Sequence, residues 1–314
     1  MFQFPQIKSK YLYTLNYSKD EESLCKLEIK CLFNLILEEK HFTSDNYINP
    51  SRSPFIKKCI SIMYKAITLK DIIEQILLDK LDCDKYKVTY VDVDNESLGF
   101  HKRRDIEREI GLNILGEYEL DEPKISFGIT KLNNQWIFGE LESNDSKWLT
   151  HNKKPFSYSN ALKVSVSRAL VNIAIGAKEN CKVVDPCCGI GTVLIEALSM
   201  GVDIIGYEIN PSIGYNAIRN LDYFGYENII TIGDMTTIEE IFDIAIIDLP
   251  YGIFTQITPE EQLAIILGAG RIAKRLILIT FEDMEAQIKA AGFNIEDGCT
   301  ISKGNFIRYV SICN

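Results

Sequence analysis

The 314-residue sequence contains no run of about eighteen uncharged apolar residues, so no membrane-spanning helix of ordinary length is expected. Its first residues, Met-Phe-Gln-Phe-Pro, lack a basic stretch followed by an apolar one, and a cytoplasmic protein with no membrane partner is expected. There is no Cys-x-x-Cys and there are only three histidines, so neither a zinc knuckle nor a redox pair is expected, nor any metal. The nine cysteines are scattered apart from the adjacent Cys187 and Cys188, and reduced, mostly buried thiols are expected. Net positive charge is missing as well. At −10 the chain is not one that coats nucleic acid nonspecifically, because phosphate binding needs clustered Lys and Arg. The deficit is uneven: residues 1–160 carry 23 basic against 25 acidic groups, and residues 161–314 carry 11 against 19. If RNA is bound, the first half is the expected platform. No internal repeat or low-complexity tract is present.

What remains is an ordinary globular composition, 46% hydrophobic and 25% charged, at a length that suggests two domains. From about residue 181 short apolar β-rich runs alternate with helical stretches, the pattern of an α/β doubly wound parallel sheet. Strands are expected at 181–185, 203–208, 229–233, 242–247 and 275–281, and helices at 192–200, 210–224, 259–274 and 284–291. Asn210-Pro211 opens one of these helices, and Gly201, Gly225 and Gly292 close three of them. Two last strands, 293–302 and 306–313, have no helix between them, and an antiparallel hairpin around Lys303-Gly304-Asn305 is expected. Residues 1–145 read as a separate α+β region. Helices are expected near Leu24–Glu39 and Leu69–Leu81, and strands near Tyr11–Asn16, Lys87–Val93 and Ile125–Leu132. The polar stretch Glu142–Lys154 reads as the linker to a domain spanning 150–314, a fragment expected to bind its cofactor alone.

The chemistry concentrates in this second domain. Val184-Asp-Pro-Cys-Cys-Gly-Ile-Gly-Thr192 lies between an expected strand and an expected helix, where glycines permit a tight turn and close approach of a ligand. Asp185 at the strand end can accept from a cationic amino group. Glu208 ends the second strand about twenty residues on, where a carboxylate can accept both hydroxyl protons of a ribose. Asp234, just past the third strand, can accept from an adenine amino group. A dinucleotide remains possible at this point. The fourth strand ends in Asp248-Leu-Pro-Tyr251-Gly252, presenting a carboxylate, a backbone carbonyl and an aromatic ring together at the carboxyl end of a central strand. That set suits a flat base with an exocyclic NH₂: Asp248 and the Leu249 carbonyl take its hydrogens, Pro250 shapes the turn, and Tyr251 stacks.

These residues carry a resemblance. Asp185-Pro-Cys-Cys-Gly-Ile-Gly-Thr192, Glu208 and Asp248-Leu-Pro-Tyr251-Gly252 resemble motifs I, II and IV of class I methyltransferases of the amino-methylating type. Lys154-Pro-Phe-Ser-Tyr-Ser-Asn-Ala161 and Ser167-Arg-Ala-Leu-Val-Asn-Ile-Ala174 are similar to the segment before motif I in the tRNA guanosine-N2 methyltransferases that modify guanosine 10. The resemblance covers residues 154–260. It implies a Rossmann-like class I methyltransferase domain with a seven-stranded sheet, and S-adenosylmethionine as cofactor. Asp185, Gly189 and Gly191 would line its methionine end, Glu208 would hold the ribose and Asp234 the adenine, with Phe156 and Ser159 closing over it. Pro186, Cys187, Thr192, Ile209 and Met235 complete the implied set. In the family a THUMP domain and a ferredoxin-like domain precede the catalytic one and grip tRNA. Residues 1–145 resemble these in Tyr11-Leu-Tyr-Thr-Leu and Trp136-Ile-Phe-Gly139 alone, and His101-Lys-Arg-Arg104 is either a phosphate contact or a solvated face. Leu249 departs from the family's commoner Asp-Pro-Pro-Tyr. No cysteine adjoins Pro250, so a 5-methylcytosine mechanism is disfavoured. Adenine N6 in DNA or rRNA, a protein glutamine amide, or a noncatalytic RNA-binding role on a relic fold stay open beside guanosine N2 in tRNA.

Overall fold

The structure, a computed structural model, describes residues 10–93, 98–158, 161–178, 180–250, 257–303 and 306–314. The chain divides into two compact units: Met1–Asn16, Leu37–Ser51 and Phe55–Asp145 form the first, and Tyr17–Ile36, Arg52–Pro54 and Ser146–Asn314 the second. Helix α1 (Glu22–Phe33) is therefore early in sequence yet part of the second unit. It stops short of the expected Glu39 because Asn34 takes a left-handed conformation, φ 54°, and caps it. Among the described residues no helix is long and apolar enough to cross a membrane.

The first unit is α+β, as its sequence indicates. Strands β1 (Tyr11–Leu15), β2 (His41–Ser44), β3 (Ile56–Ala66), β4 (Tyr86–Tyr90), β5 (Ile125–Leu132) and β6 (Gln135–Ser143) form one sheet in the order β2-β1-β3-β6-β5-β4. All neighbours are antiparallel except β4 and β5. The β5–β6 hairpin turns on Asn133-Asn134, both at positive φ, the backbone a two-residue hairpin requires. Helices α2 (Leu69–Leu78) and α3 (Phe100–Gly111) bury Ile72, Ile76 and Ile110 against Val88, Phe127, Ile129 and Phe138. Sequence reasoning misses β2, β3, β6 and α3. In β3 lysines interrupt the alternation, and α3 buries only Glu107, Ile110 and Gly111 of its twelve residues. Its His101–Arg104 cluster is partly neutralised, since Arg103 pairs with Asp92 at 2.5 Å and Arg104 with Glu107 at 2.9 Å.

The second unit holds a seven-stranded sheet of β7 (Val183–Asp185), β8 (Ile204–Glu208), β9 (Ile230–Ile232), β10 (Phe242–Asp248), β11 (Ala273–Thr280), β12 (Ile295–Lys303) and β13 (Phe306–Cys313), ordered β12-β13-β11-β10-β7-β8-β9. Only β13 runs antiparallel to its neighbours β11 and β12. Its helices are α4 (Val164–Ile175), α5 (Thr192–Ser199), α6 (Pro211–Tyr223), α7 (Pro259–Ile272) and α8 (Glu285–Ala290). This is the Rossmann-like class I methyltransferase arrangement that the resemblance implies. Along β10 alternate residues face opposite sides: Ala245 and Ile247 join a core with Ile266, Ala269 and Ile272 of α7, while the fully buried Ile244 and Ile246 face away from it. The tip of the β12–β13 hairpin, Gly304-Asn305, lies outside the described residues.

Glu142–Lys154 is not a bare linker. Its first part is the end of β6, and Lys147–Lys153 is a 3₁₀ helix that buries Trp148 and His151, the latter against Glu196 of α5. A polar composition hides these two large side chains.

Helix α4 is buried nearly all round, so it needs cover beyond the sheet, and α1 and α5 supply it. The α1 contact is polar at its centre. Asn172 and Glu28, both fully buried, bond at 2.7 Å; Ser53 donates to the other oxygen of Glu28, and Arg52 donates to Asn172 Oδ1 at 3.1 Å. Burial pushes the Glu28 carboxyl up to about 7, against the pull of those two donors. Residues far apart in sequence thus complete one core, and a fragment beginning at residue 150 lacks α1, Arg52 and Ser53. Replacing Asn172 by Ala strips partners from Glu28 and Arg52 together and should lower stability by about 2–4 kcal/mol in denaturant unfolding. A loss below about 0.5 kcal/mol would show that this polar cluster is incidental.

Candidate active site

Because β10, β7, β8 and β9 are parallel neighbours, their carboxyl ends lie side by side, and each carries an acid. Asp185 closes β7, Glu208 closes β8, Asp248 closes β10, and Asp234 follows β9 by two residues. All four line one cavity of about 860 Å³. A fifth acid, Glu261, joins from the first turn of α7, and no Lys, Arg or His is among the described lining residues.

Each acid sits differently. Asp185 is buried, and burial, with Asp248 and Glu208 nearby, pushes its carboxyl well above the usual range; the Cys187 N–H, donating to Oδ1 at 3.2 Å, opposes this. Both Glu208 oxygens accept backbone N–H groups, from Gly189 at 2.9 Å and Asn210 at 2.8 Å. Burial nonetheless pushes Glu208 up, and two of its four lone-pair sites remain for other donors. Asp234 accepts the Thr236 N–H at 2.8 Å. Asp248 is the outlier. Its Oδ1 is buried with no hydrogen-bond partner, and burial pushes the carboxyl up to about 7, with the Arg308 guanidinium opposing.

The glycine loop meets the cavity through Gly189, at φ +55°, where a Cβ would come within 2.7 Å of the Tyr158 hydroxyl. Gly191 caps α5 instead and is not among the lining residues. Thr192 lines the cavity with a buried Oγ1 that has no partner. Cys187 and Cys188 line it too, as free thiols, and burial with the neighbouring carboxylates pushes both well above the normal thiol range. They behave as small neutral packing groups rather than nucleophiles.

Leu249 explains its own departure from Asp-Pro-Pro-Tyr. Its N–H donates to Ile279 O at 2.9 Å, a bond a proline cannot make, and its side chain is 2% exposed within the core. The Pro250 carbonyl accepts from Gln262 of α7 at 3.0 Å. The strand end is therefore held from β11 and from α7.

Of the residues expected at the site, Asp185, Pro186, Cys187, Gly189, Thr192, Glu208, Ile209, Asp234, Met235, Asp248, Leu249 and Pro250 all line this cavity. Phe156 does not: its backbone is bonded to Asn220 and its ring lies under Arg219. Ser159 and Tyr251 lie outside the described residues. Sequence reasoning misses Tyr158, Asn210, Ile213, Glu261 and Ile265. For Asn210, Ile213 and Glu261 the signal available was positional, since the first turns of α6 and α7 follow strands whose ends form the site.

Residues 151–275 match the family described as "RMKL-like, methyltransferase domain". This segment is similar to a methyltransferase domain. The tRNA (guanine(10)-N2)-dimethyltransferase of Methanothermobacter thermautotrophicus is 28% identical over 178 residues, 54% of this chain and 52% of that protein. The enzyme of the same name from Pyrococcus abyssi is 34% identical over 116 residues, 35% of this chain and 34% of that protein. The matched stretches thus span about half or less of these relatives. Among solved structures, TrmN from Thermus thermophilus superposes at a TM-score of 0.49 with 13% identity, covering 97% of this chain and 99% of that one.

The acid wall of the cavity has a cost in stability that pH reveals. Folded, Asp248 keeps its proton up to about pH 7; unfolded, it loses it near the ordinary value of about 3.9. The folded state binds the extra proton between these limits, so stability falls as pH rises through that window. Asp248→Asn should raise the melting temperature most at pH 8, with the gain shrinking to nothing by pH 4 in differential scanning fluorimetry. A gain independent of pH would contradict the assignment.

Proposed function

We propose that the second unit transfers a methyl group from S-adenosylmethionine to an exocyclic amino nitrogen of a nucleic-acid base, guanosine N2 of tRNA being the substrate. The observation that carries this reading is the charge of the cavity, whose described lining holds five acids and no base. A dinucleotide would set its anionic pyrophosphate against these carboxylates, whereas S-adenosylmethionine brings a sulfonium and an ammonium. The site also fits in its unmet polar groups: Glu208 has lone pairs left for the cofactor's ribose hydroxyls, and Asp248 Oδ1, with no partner of its own, is left for the substrate amine.

When bound, S-adenosylmethionine supplies an electrophilic methyl group on a positively charged sulfur. Asp185 holds the ammonium end, Glu208 the ribose, and Asp234 the adenine amine. Asp248 and the Leu249 carbonyl accept the two hydrogens of the substrate amine, which orients the nitrogen lone pair for in-line attack. Tyr251 is the stacking ring. A carboxyl held near neutrality is also suited to receive the proton the methylated amine gives up. The base must be flipped out or single-stranded to reach this depth.

The tRNA assignment rests on the names of the matched relatives. Charge does not separate the units, since the first carries 16 basic against 21 acidic groups and the second 18 against 23. The first unit is the RNA platform in this reading, taking the part that THUMP-like regions take in the family, and the protein works in the cytoplasm.

The test is methylation of unmodified tRNA followed by nucleoside mass spectrometry. N2-methylated guanosine should appear, and Asp248→Ala should slow single-turnover methylation by about 10²–10³ while cofactor affinity stays within about threefold. Methyl transfer only to adenine N6 or to protein would overturn the substrate, and undiminished turnover by Asp248→Ala would overturn the site.

A further inference from the structure

A fully buried side chain outside the cavity ties its wall together. Asn220, on α6, uses every polar atom it has on backbone from two other segments. Its Oδ1 accepts the Phe156 N–H at 2.9 Å, and its Nδ2 donates to the Phe156 carbonyl and to the Ile190 carbonyl, each at 3.0 Å. Phe156 is two residues before Tyr158, and Ile190 lies between the two glycines of the motif loop. The loop and the segment at 156–158 are thus pinned to one amide. Tyr158 then lines the cavity with its hydroxyl against Gly189.

We propose that Asn220 is a positioning residue of the cofactor site, setting the distance between the 156–158 segment and the glycine loop so that Tyr158 closes one wall over the nucleoside. The inference rests on the reading of this cavity as an S-adenosylmethionine site, and it adds a residue that touches neither cofactor nor substrate. An amide is required there because the three bonds need one acceptor and two donors from the same planar group, which among the standard side chains only Asn and Gln provide. Gln is longer by one methylene and would push Phe156 away from Ile190. Asp keeps the size and the acceptor but turns a donor into an oxygen facing two carbonyls.

Three full-length variants test this by calorimetric titration with S-adenosylmethionine, well below each melting temperature. Asn220→Asp should raise Kd about tenfold, as the loss of two buried hydrogen bonds implies. In turnover the change should fall on KM for the cofactor, with kcat within about twofold. Tyr158→Ala should raise Kd similarly without lowering the melting temperature, and the double variant should be no worse than the weaker single one, because both act through the same wall. A Kd for Asn220→Asp equal to wild type in the folded fraction, or effects that multiply, would overturn the proposal and leave Asn220 a structural residue. Should Asn220→Asp not fold, hydrogen exchange in the wild-type chain decides: the Phe156 amide should exchange slowly without ligand, and exchange at the rate of an open loop would overturn it. Absence of any binding by the wild-type chain would instead fall on the cofactor reading, and slow exchange at Phe156 would still report the Asn220 anchor.

Discussion

Four carboxyl groups at or just past adjacent parallel strand ends, three of them largely buried, in a wall without a basic residue among its described members, are the constraint on which the site depends. In itself the arrangement is unfavourable. Burial pushes Asp185, Glu208 and Asp248 upward, the neighbouring Asp248 and Glu208 add to the rise at Asp185, and Asp248 Oδ1 has no partner. Such a set persists only where the surrounding fold holds it and where a ligand relieves it. In the proposed reading a cation that carries its own hydroxyl and amine donors would relieve it, so charge, more than shape, would separate a sulfonium nucleoside from a dinucleotide.

The scaffold answers that constraint with backbone. Glu208 is fixed by two N–H groups, Asp185 by one, and the Asp248 strand end by Leu249 on β11 and Gln262 on α7. None of these anchors adds positive charge to the wall. Behind the sheet the same economy appears in α4, whose buried Asn172 meets Glu28 from α1, so that a helix near the start of the chain seals the domain that begins more than a hundred residues later.

The C-terminal sheet was legible because its signals are local. Buried parallel strands such as Phe242–Asp248 are continuous apolar runs, and Asn210-Pro211 and Thr258-Pro259 mark helix starts that the structure also has. The acids could be read in register because each ends such a run. What escaped was non-local. Nothing near Glu22–Phe33 shows that this helix packs on α4, and nothing in Lys147–Lys153 shows that His151 is buried against Glu196. Asn220 reads as one polar residue on an amphipathic helix until the backbone of Phe156 is brought to it. In the first unit, the polar α3 and the lysine-interrupted β3 carry too weak a period for pattern reasoning.

The central claim is that the acid wall selects a cationic nucleoside. Its most direct test is isothermal titration of the full chain at pH 8 with S-adenosylmethionine and, separately, with NAD. The account predicts one-to-one binding of S-adenosylmethionine and no measurable heat with NAD; comparable affinity for both, or binding of NAD alone, would contradict it.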